Sequence, residues 1–420
     1  MDIVILAGGE GLRIKKIIKN KSKILLKIKN QTILERQLNQ LKKINNKIFV
    51  SIKKDDFKIK NLLNKQKSIE IKFLEEKKRL GTAGCLNALN NYNFNDLLVV
   101  YGDTLFNIDF KNFIKFHKQK RSKLTLFCHP NNHPKDSDLI EVDEKLRVKK
   151  FYKKPHTKDF KGNLALAGLY IINKKLLKLL NKDNYEDFSK TFLPKILKKG
   201  YKVYGYKSRE YIKDIGTPKR LREARKDFNS IKYKKGNLAN KIPAIFLDKD
   251  GVINEEKYNF KYQKPFNFID GCFDAIKKIN KNGYLVIIVT NQPAVAKGFI
   301  PLEKLKRDLY KLEGIMGEHR CYVDQIYYCP CHPQKGFKGE LKKYKRNCNW
   351  RKPNNGMLIE AIKKYNIDVK KSYMIGDSFS DYLASKKTKL KFIKVGIKKK
   401  FNSRLGFKDL KSAVNYIFKI

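Results

Sequence analysis

An aspartate pair, Asp248-Lys249-Asp250-Gly251, follows the apolar run Ala244-Ile245-Phe246-Leu247. Two carboxylates at this spacing suit phosphate-ester chemistry: one attacks phosphorus while the other protonates the departing alkoxide. A calcium loop would need further acids just downstream, where Val252, Ile253 and Asn254 stand instead. A second cluster opens the chain. The apolar run Asp2–Ala7 enters Gly8-Gly9-Glu10-Gly11-Leu12-Arg13, and Lys23 follows ten residues after the arginine. Glycines let backbone N–H groups close around a polyphosphate. Arg13 can then hold a leaving pyrophosphate and Lys23 can neutralise an α-phosphate. Taken alone, the glycines could equally form a plain tight turn. Asp103 ends the run Leu97-Leu98-Val99-Val100-Tyr101-Gly102, and Asp214 lies in Ile212-Lys213-Asp214-Ile215-Gly216-Thr217-Pro218. Two such carboxylates can share a Mg²⁺ that bridges nucleotide phosphates. Single aspartates are also common as helix caps and in turns, but that does not explain the whole set.

These side chains need strands to deliver them. Asp2–Ala7 and Ala244–Leu247 each read as the first buried strand of a parallel α/β sheet, with the reactive loop at the strand's C-terminal end. Helical periodicity follows at Ile33–Ile44 and Gly271–Asn282, so both halves alternate strand and helix. The polar stretch 228–242 separates them. The expected organisation is therefore a domain over 1–227, a linker over 228–242 and a second domain over 243–420. A chain of 420 residues is long enough for two cores.

The order of the N-terminal pieces resembles the sugar-phosphate nucleotidyltransferase family over residues 1–225. They are the Leu6–Arg13 loop, Lys23, Leu80-Gly81-Thr82-Ala83-Gly84, Gly102-Asp103, Lys153-Lys154-Pro155, Ala167-Gly168-Leu169-Tyr170 and Asp214–Pro218. The resemblance implies that Gly8, Gly9, Gly11 and Arg13 bind a nucleoside triphosphate and that Gly81 lies near its base. Lys154 would meet the sugar phosphate, and Asp103 and Asp214 would carry Mg²⁺. Leu12, Ser22, Lys153 and Leu166 depart from the family's usual Thr, Pro, Glu and Asn.

Downstream, Thr290 closes Val286-Ile287-Ile288-Val289, Lys352 lies in Trp350-Arg351-Lys352-Pro353, and Met374-Ile375-Gly376-Asp377 leads to Asp381. With the Asp248 loop, this series is similar to the haloacid-dehalogenase phosphatase superfamily over about 243–400. The resemblance makes Asp248 the nucleophile and Asp250 the general acid/base. Thr290 and Lys352 would bind phosphoryl oxygens, with Asn291 and Arg351 beside the substrate. Mg²⁺ would sit on Asp248, the Asp250 carbonyl and Asp377, with Asp381 behind them. The implied fold is two Rossmann-like three-layer α/β domains, one with a mixed sheet and one with a parallel sheet.

Four of the seven cysteines fall within 321–348, which points to metal or catalysis ahead of disulfides. Tyr328-Cys329-Pro330-Cys331-His332 and Asn347-Cys348-Asn349-Trp350 resemble the zinc loop of the histidinol-phosphate and heptose-bisphosphate phosphatase subgroup. There Cys331 takes a histidine's place and Trp350 takes a cysteine's. Two readings stay open: Zn²⁺ held by Cys329, Cys331, His332 and Cys348, or buried thiols with Trp350 filling the metal's place. His117, His129, His133 and His156 show no ligand spacing.

The formal net charge is +54, but only 14 of the 95 basic residues are Arg. Lysine spread along the whole chain speaks for a compositional bias and against nucleic acid as the principal partner. The surplus favours anionic small molecules such as sugar phosphates and nucleotides. Lys398–Lys400 and similar runs read as solvated faces. Met1–Ala7 lacks a basic leader and no apolar run has membrane length, so neither signal peptide nor membrane partner is expected, and the setting is cytoplasmic. Assembly into an oligomer is left open. The combined expectation is a bifunctional enzyme: dephosphorylation of D-glycero-D-manno-heptose 1,7-bisphosphate, then GTP-dependent activation of the 1-phosphate. The alternative keeps both chemistries on mannose or glucose 1-phosphate and histidinol phosphate. A catalytically dead basic binding protein is the reading from a different class.

Overall fold

A computed structural model describes residues 1–9, 11–14, 22–156, 162–182, 184–255, 266–396 and 405–419. Glu10 of the glycine turn and the Lys398–Lys400 run lie outside the described residues. In these residues the chain divides into two compact units. The first holds residues 1–129, 136–156 and 164–237, and the second holds 130–135, the described part of 157–163 and 238 onward.

The first unit is built on a nine-stranded sheet. Asp2–Leu6 lies at its heart, parallel to Lys47–Lys53 on one side and to Asp96–Tyr101 on the other. Ala165–Asn173 joins antiparallel beyond Asp96–Tyr101, which makes the sheet mixed. Ile3, Val4 and Ile5 are fully buried, as a strand covered by helices on both faces requires. A short antiparallel pair, Thr104–Asn107 with Tyr211–Asp214, stands apart from the main sheet. The helix Ile33–Leu41 starts from a reciprocal cap between Thr32 and Glu35, and it buries Leu34, Leu38 and Leu41. Within the stretch read as a linker, Ile231–Lys234 is helical. Its Tyr233 ring packs edge-on against Tyr211 at 5.2 Å.

The second unit carries a parallel sheet of six strands in the order Gln325–Cys329, Leu285–Asn291, Ala244–Leu247, Tyr373–Gly376, Lys391–Val395, Gly406–Phe407. In chain order this is 3-2-1-4-5-6. The direction of winding reverses beside Ala244–Leu247, where such sheets leave a crevice at their C-terminal edge. A mixed sheet in one unit and a parallel sheet in the other agree with the expectation from sequence. No described helix is long and apolar enough to cross a membrane.

Candidate functional sites

In the second unit, three adjacent parallel strands deliver the catalytic candidates to one edge. Ala244–Leu247 leads into Asp248, Leu285–Asn291 ends with Thr290 and Asn291, and Tyr373–Gly376 leads into Asp377. The carboxylates of Asp248, Asp377 and Asp381 lie within 4.8 Å of one another. Asp381 therefore joins the cluster itself. It is fully buried, and one of its oxygens caps the helix Phe379–Lys387 through Ser378. Its other oxygen lies 2.5 Å from Lys352 Nζ, and the same amine lies 2.9 Å from Asp248 Oδ1. Lys352 Nζ also donates to the Val289 carbonyl (2.9 Å). Burial acts to lower the Lys352 pKa, but Asp248 and Asp381 outweigh it and hold the amine protonated.

Burial pushes the Asp248 carboxyl up to about 8; Lys352 opposes this, while Asp381, Asp250 and Asp377 add to it. Three carboxylates crowded around one ammonium leave surplus negative charge, which is the environment a divalent cation neutralises. Gly251 (φ +82°) shows how tight the cluster is: a Cβ there would fall 2.1 Å from Asp377 Oδ2. Any side chain at 251 would collide with Asp377, and the converging oxygens of Asp248, Asp377 and Asp381 are the hard donors that a divalent cation takes.

Asp250 is positioned separately. The Gln292 side-chain amide donates to Asp250 Oδ2 (2.9 Å) and to Thr290 Oγ1 (2.9 Å). Lys249 forms an ion pair with the other Asp250 oxygen. Asn291 exchanges two hydrogen bonds of 3.0 Å with the Lys352 backbone, which ties two of the motifs together. Arg351 donates to the Cys331 carbonyl (3.0 Å), so its guanidinium braces the cysteine loop.

Cys329, Cys331 and Cys348 bring their sulfurs within 4.8 Å of one another, and His332 is not in the group. Its backbone N–H bonds to the Tyr344 carbonyl (3.0 Å) and its ring stands edge-on to Phe337. Burial lowers the His332 pKa, with Arg351, Lys297 and Lys345 acting in the same direction. Three nearby cations make the ring's surroundings electropositive. Trp350 does not fill a metal's place either. It is 42% exposed and packs edge-on against Tyr327 at 5.8 Å.

In the first unit, the glycine turn leaves Asp2–Leu6 and Asp103 follows the neighbouring strand Asp96–Tyr101. Lys23 Nζ donates to Asp103 Oδ2 (2.5 Å). A Cβ on Gly9 would lie 3.5 Å from that amine, so the turn passes directly over it. The strand Tyr211–Asp214 brings Asp214 opposite Thr104, and the Ile215 N–H bonds to the Asp103 carbonyl (2.9 Å). Backbone pairing thus sets the two predicted aspartates side by side.

Arg220 Nη1 donates to both Asp214 oxygens, at 2.7 and 2.9 Å. Burial acts to raise the Asp214 pKa, but Arg220, the Gly216 N–H and Arg13 together hold it below the usual value. Arg13 approaches from the turn, its Nη2 lying 3.0 Å from where a Gly216 Cβ would be. Gly81 (φ +80°) packs on the Glu186 carbonyl, which a Cβ would meet at 2.4 Å. Lys154 is exposed beyond the strand Val148–Tyr152, its backbone N–H bonded to Asp138 (3.0 Å).

Gln292, Lys249 and Arg220 escaped the reading of sequence. Gln292 carried a signal, since it follows Thr290-Asn291 at a strand end. Arg220 sits six residues past Asp214 on a separate helix, and nothing in its spacing announces the pairing.

Comparison with known proteins finds relatives for both parts of the chain. The nucleotidyl transferase family model matches residues 3–230, and the polynucleotide kinase 3 phosphatase model matches 243–413. A D-glycero-beta-D-manno-heptose-1,7-bisphosphate 7-phosphatase from Salmonella typhi is 37% identical over 148 residues, 35% of this chain and 77% of the relative. Its counterpart from Haemophilus influenzae is 39% identical over 149 residues, 35% of this chain and 78% of the relative. Among solved structures, HddC from Yersinia pseudotuberculosis is 25% identical and covers 54% of this chain and 99% of its own, with a TM-score of 0.47. Enzymes of both matched families generally use divalent metal ions. The chain is therefore a two-activity enzyme that belongs to the nucleotidyl transferase family and also to the family of D-glycero-beta-D-manno-heptose-1,7-bisphosphate 7-phosphatases.

Proposed function

We propose that this enzyme, acting in the cytoplasm, removes the 7-phosphate of D-glycero-D-manno-heptose 1,7-bisphosphate and transfers a guanylyl group from GTP to the resulting 1-phosphate. The GDP-heptose would feed cell-surface glycan assembly. The observation that carries the reading is one chain holding the Asp248–Lys352–Asp381 cluster, in a sequence akin to heptose-bisphosphate phosphatases, alongside the Lys23–Asp103 pair of a nucleotidyl transferase. A domain boundary within 228–242 accompanies it.

In the first reaction a carboxylate oxygen of Asp248 attacks phosphorus in line, and the sugar alkoxide leaves with a proton from Asp250. Gln292 holds Asp250 toward that position. Asp250 then takes a proton from water, which hydrolyses the aspartyl-phosphate and returns inorganic phosphate. Lys352 and Thr290 bind the phosphoryl oxygens, with Asn291 and Arg351 at the edge of the substrate. Asp248, the Asp250 carbonyl and Asp377 would hold a Mg²⁺, which would supply charge neutralisation as two anions approach. In the second reaction the sugar 1-phosphate oxygen attacks the α-phosphorus of GTP and pyrophosphate leaves. Gly8, Gly9, Gly11 and Arg13 hold the triphosphate, Lys23 meets the α-phosphate, Gly81 lies near the base and Lys154 meets the sugar phosphate. Asp103 and Asp214 would hold a Mg²⁺, which would supply charge neutralisation for the nucleotide phosphates.

Incubation with Mg²⁺, the heptose bisphosphate and each nucleoside triphosphate in turn tests the proposal, with phosphate and nucleotide-sugar followed by mass spectrometry. GDP-heptose should dominate. Release of phosphate from histidinol phosphate alone would replace the assigned substrate.

The Asp248 pKa gives a further expectation. In metal-free protein the folded state keeps a proton on Asp248 that the unfolded chain loses near its ordinary value of 3.8. That stabilisation is complete at low pH and is lost as pH rises toward about 8. Bound Mg²⁺ removes the preference for the proton. The gain in Tm on adding Mg²⁺ to chelator-treated protein should therefore grow as pH rises through this window. An equal gain at its two ends would refute the account.

The three thiolates of Cys329, Cys331 and Cys348 would hold one Zn²⁺ as a structural ion, with a ligand other than His332 completing the set. Elemental analysis should find about one zinc per chain. Cys348→Ser should lose most of it and His332→Ala should keep it; a His332→Ala protein stripped of zinc would reverse the assignment.

A further inference from the structure

The cysteine loop of the second unit carries chemistry that neither reaction uses. Six of the seven cysteines are buried, and Cys348 alone is partly open to solvent. Its sulfur lies 3.1 Å from that of Cys329, 19 residues earlier, and the two thiols share a hydrogen bond. Cys331 completes the group, and among the described residues no His, Asp or Glu joins it. A metal on these sulfurs would have three protein ligands, one short of the closed set typical of a structural zinc site. Thiols released by such a metal are left close to bonding distance. A disulfide needs the sulfurs of Cys329 and Cys348 only about 1 Å closer than they stand.

The two partners differ in freedom. Cys329 ends the strand Gln325–Cys329, where its carbonyl accepts the Gln292 N–H (2.8 Å). Cys348 lies in a loop, and its carbonyl accepts the Arg351 N–H (3.0 Å) and the Asn354 side-chain amide (3.2 Å). A link between them therefore joins the strand end beside residues 290–292 to the turn that carries Lys352. Asn291 spans the same gap through its two bonds to the Lys352 backbone. We propose that Cys329 and Cys348 are a redox pair whose disulfide takes over as the cross-link of this loop when metal is absent. The oxidant is a small-molecule disulfide. The Cys348 thiolate attacks one of its sulfurs and expels a first thiolate, and the Cys329 thiolate then attacks the mixed disulfide at Cys348 and expels the second. Two protein thiols are oxidised, one small disulfide is reduced to two thiols, and the protons pass to the leaving sulfurs. The pairing rests on the thiols and holds whether or not zinc is the natural occupant.

The test uses the full chain, reduced and treated with chelator, then supplied with Mg²⁺ alone or with Mg²⁺ and Zn²⁺, and exposed to glutathione disulfide. Intact mass should find the protein given Mg²⁺ alone lighter by two hydrogens. Peptide mapping should place the link between Cys329 and Cys348, and a thiol reductant should undo it. With Zn²⁺ present the link should form about 10-fold more slowly or not at all, because the sulfurs are engaged. Equal linking with and without Zn²⁺ would remove the zinc assignment and leave the redox pair standing. The linked protein should have a Tm about 5 °C or more above that of reduced, zinc-free protein. It should also release phosphate about 10-fold faster, since the link holds the Lys352 turn in place, with nucleotidyl transfer equal in both. A glutathione adduct on Cys348 without a link, a link through Cys331, or a link that leaves either Tm or phosphate release unchanged would overturn the proposal.

Discussion

Asp248→Asn is expected to lower phosphate release by about 10⁴-fold or more while pyrophosphate release stays at the wild-type rate. The amide has nearly the carboxylate's size but no anionic oxygen to attack phosphorus, so the covalent step is lost and the pocket keeps its shape. Folding should survive. Lys352 keeps Asp381 at 2.5 Å as a partner for its buried charge, and the neutral amide removes a carboxyl whose charged form burial and the neighbouring Asp381, Asp250 and Asp377 disfavour. Separate assays of phosphate and pyrophosphate, with circular dichroism as a check on folding, read the outcome. Loss of both activities in a folded variant would mean that the two sites do not act independently.

The reciprocal expectation concerns Asp103. Asp103→Ala should reduce nucleotidyl transfer by about 10³-fold and leave the phosphatase unchanged. The substitution removes a carboxylate that would hold the metal and frees Lys23 from its partner. Asp214 cannot take over alone, because Arg220 occupies both of its oxygens. Stability should also fall, since Lys23 and Asp103 keep only 18% and 14% of their side-chain surface exposed and the change leaves a largely buried amine without its partner, so circular dichroism checks that the variant is folded. The same two assays decide. A variant that still transfers nucleotide at the wild-type rate would remove Asp103 from the reaction.

The paired variants also separate chemistry from architecture. Each site is assembled by backbone pairing within its own sheet, Asp103 through the strand beside Asp2–Leu6 and Asp248 through the strand between Leu285–Asn291 and Tyr373–Gly376. A point change at one strand end leaves the other sheet's register untouched, which is why opposite outcomes are expected.

Much of this was legible from residues alone. A strand covered on both faces must be a run of apolar residues, so Ile3–Ile5 and Ala244–Leu247 declare themselves, and the polar residues that interrupt such runs mark the loops where chemistry sits. Asp103, Asp214, Asp248, Thr290 and Asp377 were found in this way, and the structure places each of them at or next to a strand end. Local pattern did not resolve the directions of side chains in the cysteine loop. His332 is adjacent in sequence to Cys331, yet its ring stands edge-on to Phe337. Trp350 was open to reading as a filler for the metal's place and is instead exposed against Tyr327. Neighbours along a loop need not share a direction, because each side chain follows the packing at its own position.

By itself, then, the sequence determined which groups could do phosphoryl chemistry and that strands present them, since both follow from residue type and from periodicity over a few positions. Only the tertiary structure decided which groups meet. Strand order set Thr290 and Asp377 on either side of Asp248, a buried lysine drew Asp381 into the cluster, and Arg220 reached Asp214. These juxtapositions depend on long-range pairing and on the compensation of buried charge, whose partners lie far apart along the chain.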